Sequence, residues 1–195
     1  MGAFTRIPAD TFEQIQTNAG ILLYNFDPAN PTVKDEDIIC PTTGGVNARC
    51  VPTYSDLGED VDNCPANLLE LKNVDSWDCG LEFTSLGTSP KSIRLALGAA
   101  DIDSNDPTHI IPRRMLKVTD AQDVWWVGDR ADGGMVAICV RKALSTSGFS
   151  LQTTKNGKGN TSVNLTGHVT VDTQDHVPME FYSTGPVQSG SGEEI

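Results

Sequence analysis

Side chains able to do chemistry are thinly spread along this chain. His109, His168 and His176 do not fall at the spacing of metal ligands, and His168 lies on the polar side of an alternating run, so all three read as surface residues. Asp101-x-Asp103-x-Asn105 opens like a calcium loop. Yet Asp106 stands where such a loop needs glycine, and Pro112 where it closes with glutamate. Asp56, Glu59, Asp60 and Asp62 crowd their carboxylates together, but without the apolar walls that raise a catalytic pKa they read as a solvated acidic stretch. The chain carries no nucleophile elbow, phosphate-cradling loop or dinucleotide fingerprint. Neither catalysis, a cofactor nor a metal is expected.

The remaining reactive groups are Cys40, Cys50, Cys64, Cys79 and Cys139. Their number is odd, no C-x-x-C pair occurs, and an export signal is not expected from Met1 to Pro8. They are expected to be reduced thiols of a protein made in a cytoplasm, the alternative being a disulfide such as Cys40–Cys50.

The elements that hold these residues are mostly strands. The chain of 195 residues suffices for one well-buried domain. Its 18 glycines and 11 prolines imply many turns. A net charge of −12 rules out holding nucleic acid by phosphate neutralisation. No apolar run approaches the ~20 residues that cross a bilayer, so no membrane partner is expected.

The strongest local signal is Asp123 to Ala143, two apolar runs around Asp132-Gly133, which suits a tight hairpin turn. Met135 to Val140 is apolar on both faces and should be covered on both sides. Trp125 and Trp126 must point to opposite faces. One should enter a core and the other should lie under a neighbouring loop or another subunit. Further strands are expected at Ile21–Phe26, Trp77–Thr84, Ile110–Val118, Phe149–Thr154, Thr161–Asp172 and Val177–Tyr182. Short helices are expected over Pro8–Asn18 and over Pro90–Leu97, the latter capped by Ser89. Strands in hairpin order make the sheets mainly antiparallel.

Residues 27–76, with five prolines and two acidic runs, read as a long loop of a single domain at 1–183. Leu57, Val61, Leu68, Leu69 and Leu71 are too apolar for a solvated segment and are read as part of an interaction device, the alternative being a loop packed over its own domain. Residues 184–195, rich in Gly and Ser, form a terminal arm.

Several short segments, in order and spacing, resemble the major tail tube proteins of long-tailed, non-contractile bacteriophages. They are Pro41-Thr-Thr-Gly-Gly-Val, Asp60-Val-Asp62-Asn63-Cys-Pro65, the strand opened by Trp77, Leu95-Ala-Leu-Gly-Ala-Ala, Asp123-Val-Trp-Trp-Val-Gly-Asp with its Gly-Gly turn, and Val177-Pro178-Met-Glu-Phe-Tyr182. The resemblance spans about Ala19 to Tyr182. The cysteines around residues 27–76 depart from the pattern.

The resemblance implies an antiparallel β-sandwich or partial barrel with one flanking helix, a long extended loop and terminal arms. It implies hexameric rings stacked, through the long loop and the terminal arms, into a hollow tube that conducts genomic DNA from virion to host, which makes Leu57, Val61, Leu68, Leu69 and Leu71 candidates for contacts between subunits. The implied partners are further copies of the chain, a tape-measure protein, tail chaperones, and terminator and tip proteins, with double-stranded DNA passing through unbound. The implied location is the virion tail, after synthesis in the host cytoplasm. An acidic wall would repel phosphates, and the lumen-facing candidates are Asp78, Glu82 and Thr84 on one strand with Asn164, Thr166 and Thr170 on another. Period-2 patterns leave open whether that face is lumenal or outer. The alternative function is a monomeric β-sandwich binding module, such as a capsid decoration or receptor-binding domain.

Overall fold

The computed structural model describes residues 7–8 and 10–186. Strand takes 41% and helix 11% of it, so the fold is mainly β, with antiparallel sheets and one α-helix. The strands are β1 (Ile21–Leu23), β2 (Thr42–Asp56), β3 (Lys72–Ser85), β4 (Ala100–Ile102), β5 (Ile110–Pro112), β6 (Gln122–Asp129), β7 (Met135–Ser145), β8 (Thr161–Thr166) and β9 (Met179–Thr184); the helix is α1 (Pro90–Leu97). The main sheet runs β1-β6-β7-β8-β3-β2, with β9 also on β7, and β4 pairs with β5 as a separate ribbon.

The Trp-bearing hairpin is the hub. Gly133, at φ 81°, makes its turn, and the Asp132 carboxylate accepts the Gly134 amide at 2.9 Å. The first half of β7 pairs with β6 and β9, whereas Leu144 and Ser145 at its end pair with β8. Between the halves Lys142 takes a φ of 47°, and there the sheet turns a corner. Leu22, Val124 and Val140 on one side of that corner pack with Leu81, Phe83, Val163 and Leu165 on the other, and Leu95 and Ala96 of α1 join them. A second cluster, Leu23, Trp125, Ala137 and Cys139, lies against Phe26, Ile38 and Tyr182. The first half of β7 is thus covered on both faces, as its composition requires.

Trp125 is the buried tryptophan, edge-on to Phe26 with ring centroids 5.6 Å apart. Trp126 lies under the chain entering β1, its indole N–H donating to the Ala19 carbonyl at 2.9 Å. Helix α1 matches its sequence signals: Ser89 accepts the Ser92 amide, Pro90 opens the first turn, and Gly98 ends it at φ 71°.

Several expectations are corrected. Residues 27–76 are not one loop, since residues 42–56 are β2, paired along β3 from Thr42↔Ser85 to Asp56↔Lys72. Four of the five prolines lie outside this ladder. Pro52 sits in β2, whose other edge is unpaired, so its missing N–H costs no ladder bond there. Positive φ at Gly44 and Gly45 takes up the register shift at the strand's start. The segment expected to be helical near Pro8–Asn18 forms turns and a single bridge, Gln16↔Arg130. Phe149–Thr154 contributes only the bridge Gln152↔Asn160, and Ile110–Val118 pairs only as far as Pro112. The Thr161–Asp172 strand ends at Thr166: the Gly167 amide makes the last bond to β3, at the Cys79 carbonyl, and the His168 amide then goes over to the Arg141 carbonyl, leaving Val169 and Val171 exposed. The strand expected at Val177–Tyr182 is Met179–Thr184, so the terminal arm begins inside β9 and residues 187–195 lie outside the described ones.

Candidate functional site

The β2–β3–β8 sheet carries two unlike faces. On the side away from the core, the register aligns Asn47, Glu82 and Asn164 across three strands, and beside them Arg49, Gly80 and Thr166. Asp78 and Thr84 flank Glu82 at period-2 positions of β3. Five of the six residues expected on one polar face (Asp78, Glu82, Thr84, Asn164 and Thr166) therefore share it. Thr170 does not. It precedes a 3-10 turn at Val171–Thr173, and its hydroxyl lies 3.1 Å from that of Thr173.

Arg49 is central to this face and was not anticipated. Its Nε donates to Asp78 at 2.9 Å, and its Nη1 pairs with Glu82. Glu82 also accepts from the Asn164 amide at 3.4 Å. One cation thus sits between two carboxylates, and the face is less acidic than the strand sequence implies. A signal for it exists: Val46, Ala48, Cys50, Pro52 and Tyr54 alternate with Asn47, Arg49, Val51 and Thr53. The surrounding prolines and acids hid it.

On the core side, Val46, Ala48 and Cys50 of β2 lie with Phe83, Leu81 and Cys79 of β3 in the first cluster. The same face continues outward through Pro52↔Trp77 and Tyr54↔Val74. No other element covers it there: Tyr54 is 59% exposed and Val74 43%. Past the strands, Leu57, Val61 and Leu69 are exposed at the hairpin end, whereas Leu68 and Leu71 are half-buried. The five leucine and valine positions assigned to subunit contacts thus gather at one protruding tip, three of them pointing outward. Trp77, two residues before Cys79 on the β3 face that buries Cys79, Leu81 and Phe83, is 39% exposed because it lies where the hairpin leaves the core.

Other sites suggested by sequence are otherwise engaged. Asp101 pairs with Lys117 and with Arg113, and Asp103 turns to the Asn105 amide at 2.9 Å. Among the described residues no three His, Cys, Asp or Glu side chains are placed to hold a metal ion. The three histidines are exposed. No helix of the described residues is long and apolar enough to cross a membrane. Cys40 is buried away from Cys50, which instead faces Cys79, and all five thiols are free.

A charged cluster pins the corner of β7. Arg141 donates to Glu180 at 2.8 Å and to Asp123 at 2.7 Å, and lies 5.7 Å from the Trp125 ring centre. Burial works against the Asp123 carboxylate, but the Lys142 amide and the Arg141 guanidinium outweigh it and hold its carboxyl below the usual range. Glu180 is lowered by Arg141 foremost, and burial opposes the shift. Paired in this way, the cluster positions strands.

Compared with models of known protein families and with curated proteins, the chain matches none.

Proposed function

We propose that this chain is a structural subunit of a hollow phage tail tube, built from hexameric rings that stack and conduct DNA. The observation that carries the reading is the outer edge of β2. It offers 15 residues of strand, longer than the ~3–10 of most strands, with no partner on that edge among the described residues. Its inner face leaves the core as the apolar stripe Pro52, Tyr54, Val74 and Trp77. A long free edge beside uncovered apolar surface is an association hazard for a lone molecule, and pairing with another copy on either side of Pro52, which has no N–H to give that edge, removes it.

In this reading the β2–β3–β8 polar face lines the channel. Arg49, bound by two carboxylates, offers DNA no free cation, and the net charge of −12 keeps phosphates from adhering. The hairpin tip, with Leu57, Val61 and Leu69, reaches a neighbouring ring. The tape-measure protein, chaperones, terminator and tip proteins belong to the same reading, as does the absence of catalysis.

Negative-stain electron microscopy of the purified full chain, across a concentration series, tests it. Rings or tubes are expected. A monomer at every concentration would overturn the proposal in favour of a solitary binding module.

A further inference from the structure

The base of the protruding hairpin holds a pair of thiols that neither the sheet nor the assembly reading uses. Cys50 and Cys79 are directly opposed in the β2–β3 ladder, and their sulfurs lie 3.3 Å apart. Directly opposed residues of antiparallel strands have Cα atoms ~4.5–5.5 Å apart, inside the ~4.4–6.8 Å that a disulfide spans. The sulfurs need to approach only to the ~2.05 Å of a bond, a side-chain movement. The two positions also differ in access. Cys50 is half-buried, whereas Cys79 is 1% exposed.

We propose that Cys50 and Cys79 are an oxidation site, converted to an intramolecular disulfide by exchange with a small-molecule disulfide such as oxidised glutathione. Cys50 loses its proton, and its thiolate attacks one sulfur of the reagent. A mixed disulfide forms and the first reagent thiolate departs, taking up a proton. Cys79 then loses its proton and attacks the Cys50 sulfur, expelling the second reagent thiol. Two protein thiols are oxidised to one disulfide, and one reagent disulfide is reduced to two thiols. Burial pushes the Cys79 thiol up, so the more accessible Cys50 is the thiol that meets the reagent first.

The bond closes the chain between residues 50 and 79 into a ring that contains the whole exposed arm. A thiol pair kept open in a reducing cytoplasm closes once the protein meets oxidising surroundings, and the arm is then fixed at its root. This assignment stands whether or not the tube reading holds, because it concerns one chain.

The test uses the full chain, equilibrated with oxidised and reduced glutathione, quenched with an alkylating agent and digested with trypsin plus a protease that cuts at aspartate. The second enzyme separates Cys50 from Cys64. The expected product is a linked Cys50–Cys79 peptide pair, lost on reduction, with Cys40, Cys64 and Cys139 alkylated after denaturation. In Cys79→Ala, glutathione should stay on Cys50. Linkage of Cys50 to Cys64, glutathione retained on Cys50 of the unaltered chain, or full alkylation of both thiols would each overturn the proposal. The unaltered chain decides the matter alone if the Cys79 variant does not fold.

Discussion

The Asp123 carboxylate accepts the backbone N–H of Lys142 at 2.9 Å, and Lys142 is the residue of β7 that adopts a φ of 47°. A left-handed residue inside a strand is strained, and here a carboxylate from the neighbouring strand holds it. Asp123 sits where the β6–β7 register shifts between Gln122 and Val124. The bend that lets one strand serve both halves of the sheet is thus fixed by a side chain across from it.

Replacing Asp123 with alanine removes this bond and the one to Arg141, and should cost about 2 kcal/mol, read by chemical denaturation. Lys142→Val should cost a similar ~2 kcal/mol, because a β-branched residue resists positive φ. Lys142→Gly should be tolerated.

Acid should loosen the same corner. Asp123 and Glu180 both titrate below their ordinary values in the folded protein. Their contribution is present above the ordinary carboxylate range, near ~4, and is lost as pH falls through the lowered values. Melting temperature should hold from neutral pH down to that range and then drop. Arg141→Gln should melt lower at neutral pH and show a shallower acid limb.

Gly80 lets β8 lie close to β3. A Cβ there would stand 2.4 Å from the Leu165 carbonyl oxygen, and that atom cannot swing away. Gly80→Ala should destabilise by roughly 1–3 kcal/mol, with the β3–β8 amides losing hydrogen-exchange protection first.

Leu57 and Leu69 are 66% and 81% exposed. Changing both to aspartate should leave the melting temperature of isolated subunits unchanged, since surface substitutions fall within about ±0.5 kcal/mol. Assembly, followed by light scattering or microscopy, should fail. Tubes of normal length from this variant would remove the tip from the contact.

Lysine at both Asp78 and Glu82 would leave Arg49 beside two further cations. If this face lines the channel, DNA ejection should slow while tube length stays the same. An unaltered ejection rate would place the face on the outside.

The elements legible in the sequence were those with one dominant cause. The Asp132-Gly133 turn, the doubly apolar strand after it, and Ser89-Pro90 opening α1 each rest on local chemistry, and each stands where expected. Strand β2 was hidden because its partner decides it. Its alternation is genuine, but Gly44-Gly45 and Pro52 argue locally against a strand, and only the ladder to β3 outweighs them. The run through Val169 and Val171 erred in the opposite sense: alternation continued after pairing had stopped at Thr166. Arg49 was missed for the same reason as β2, while Asp78, Glu82 and Asn164 were found because their strands alternate cleanly. The left-handed Lys142 leaves no mark in composition at all.

The three indoles occupy three separate settings, so the protein's ultraviolet emission is a sum of unlike parts. Trp125, walled in by Phe26 and Tyr182, and Trp126, tethered to Ala19, are held by contacts within the chain and supply a background to the emission. Trp77 alone stands where the hairpin meets water. Under the tube proposal, a blue shift in its glow would mark the moment another surface dries that root, giving the chain its own optical gauge of encounter.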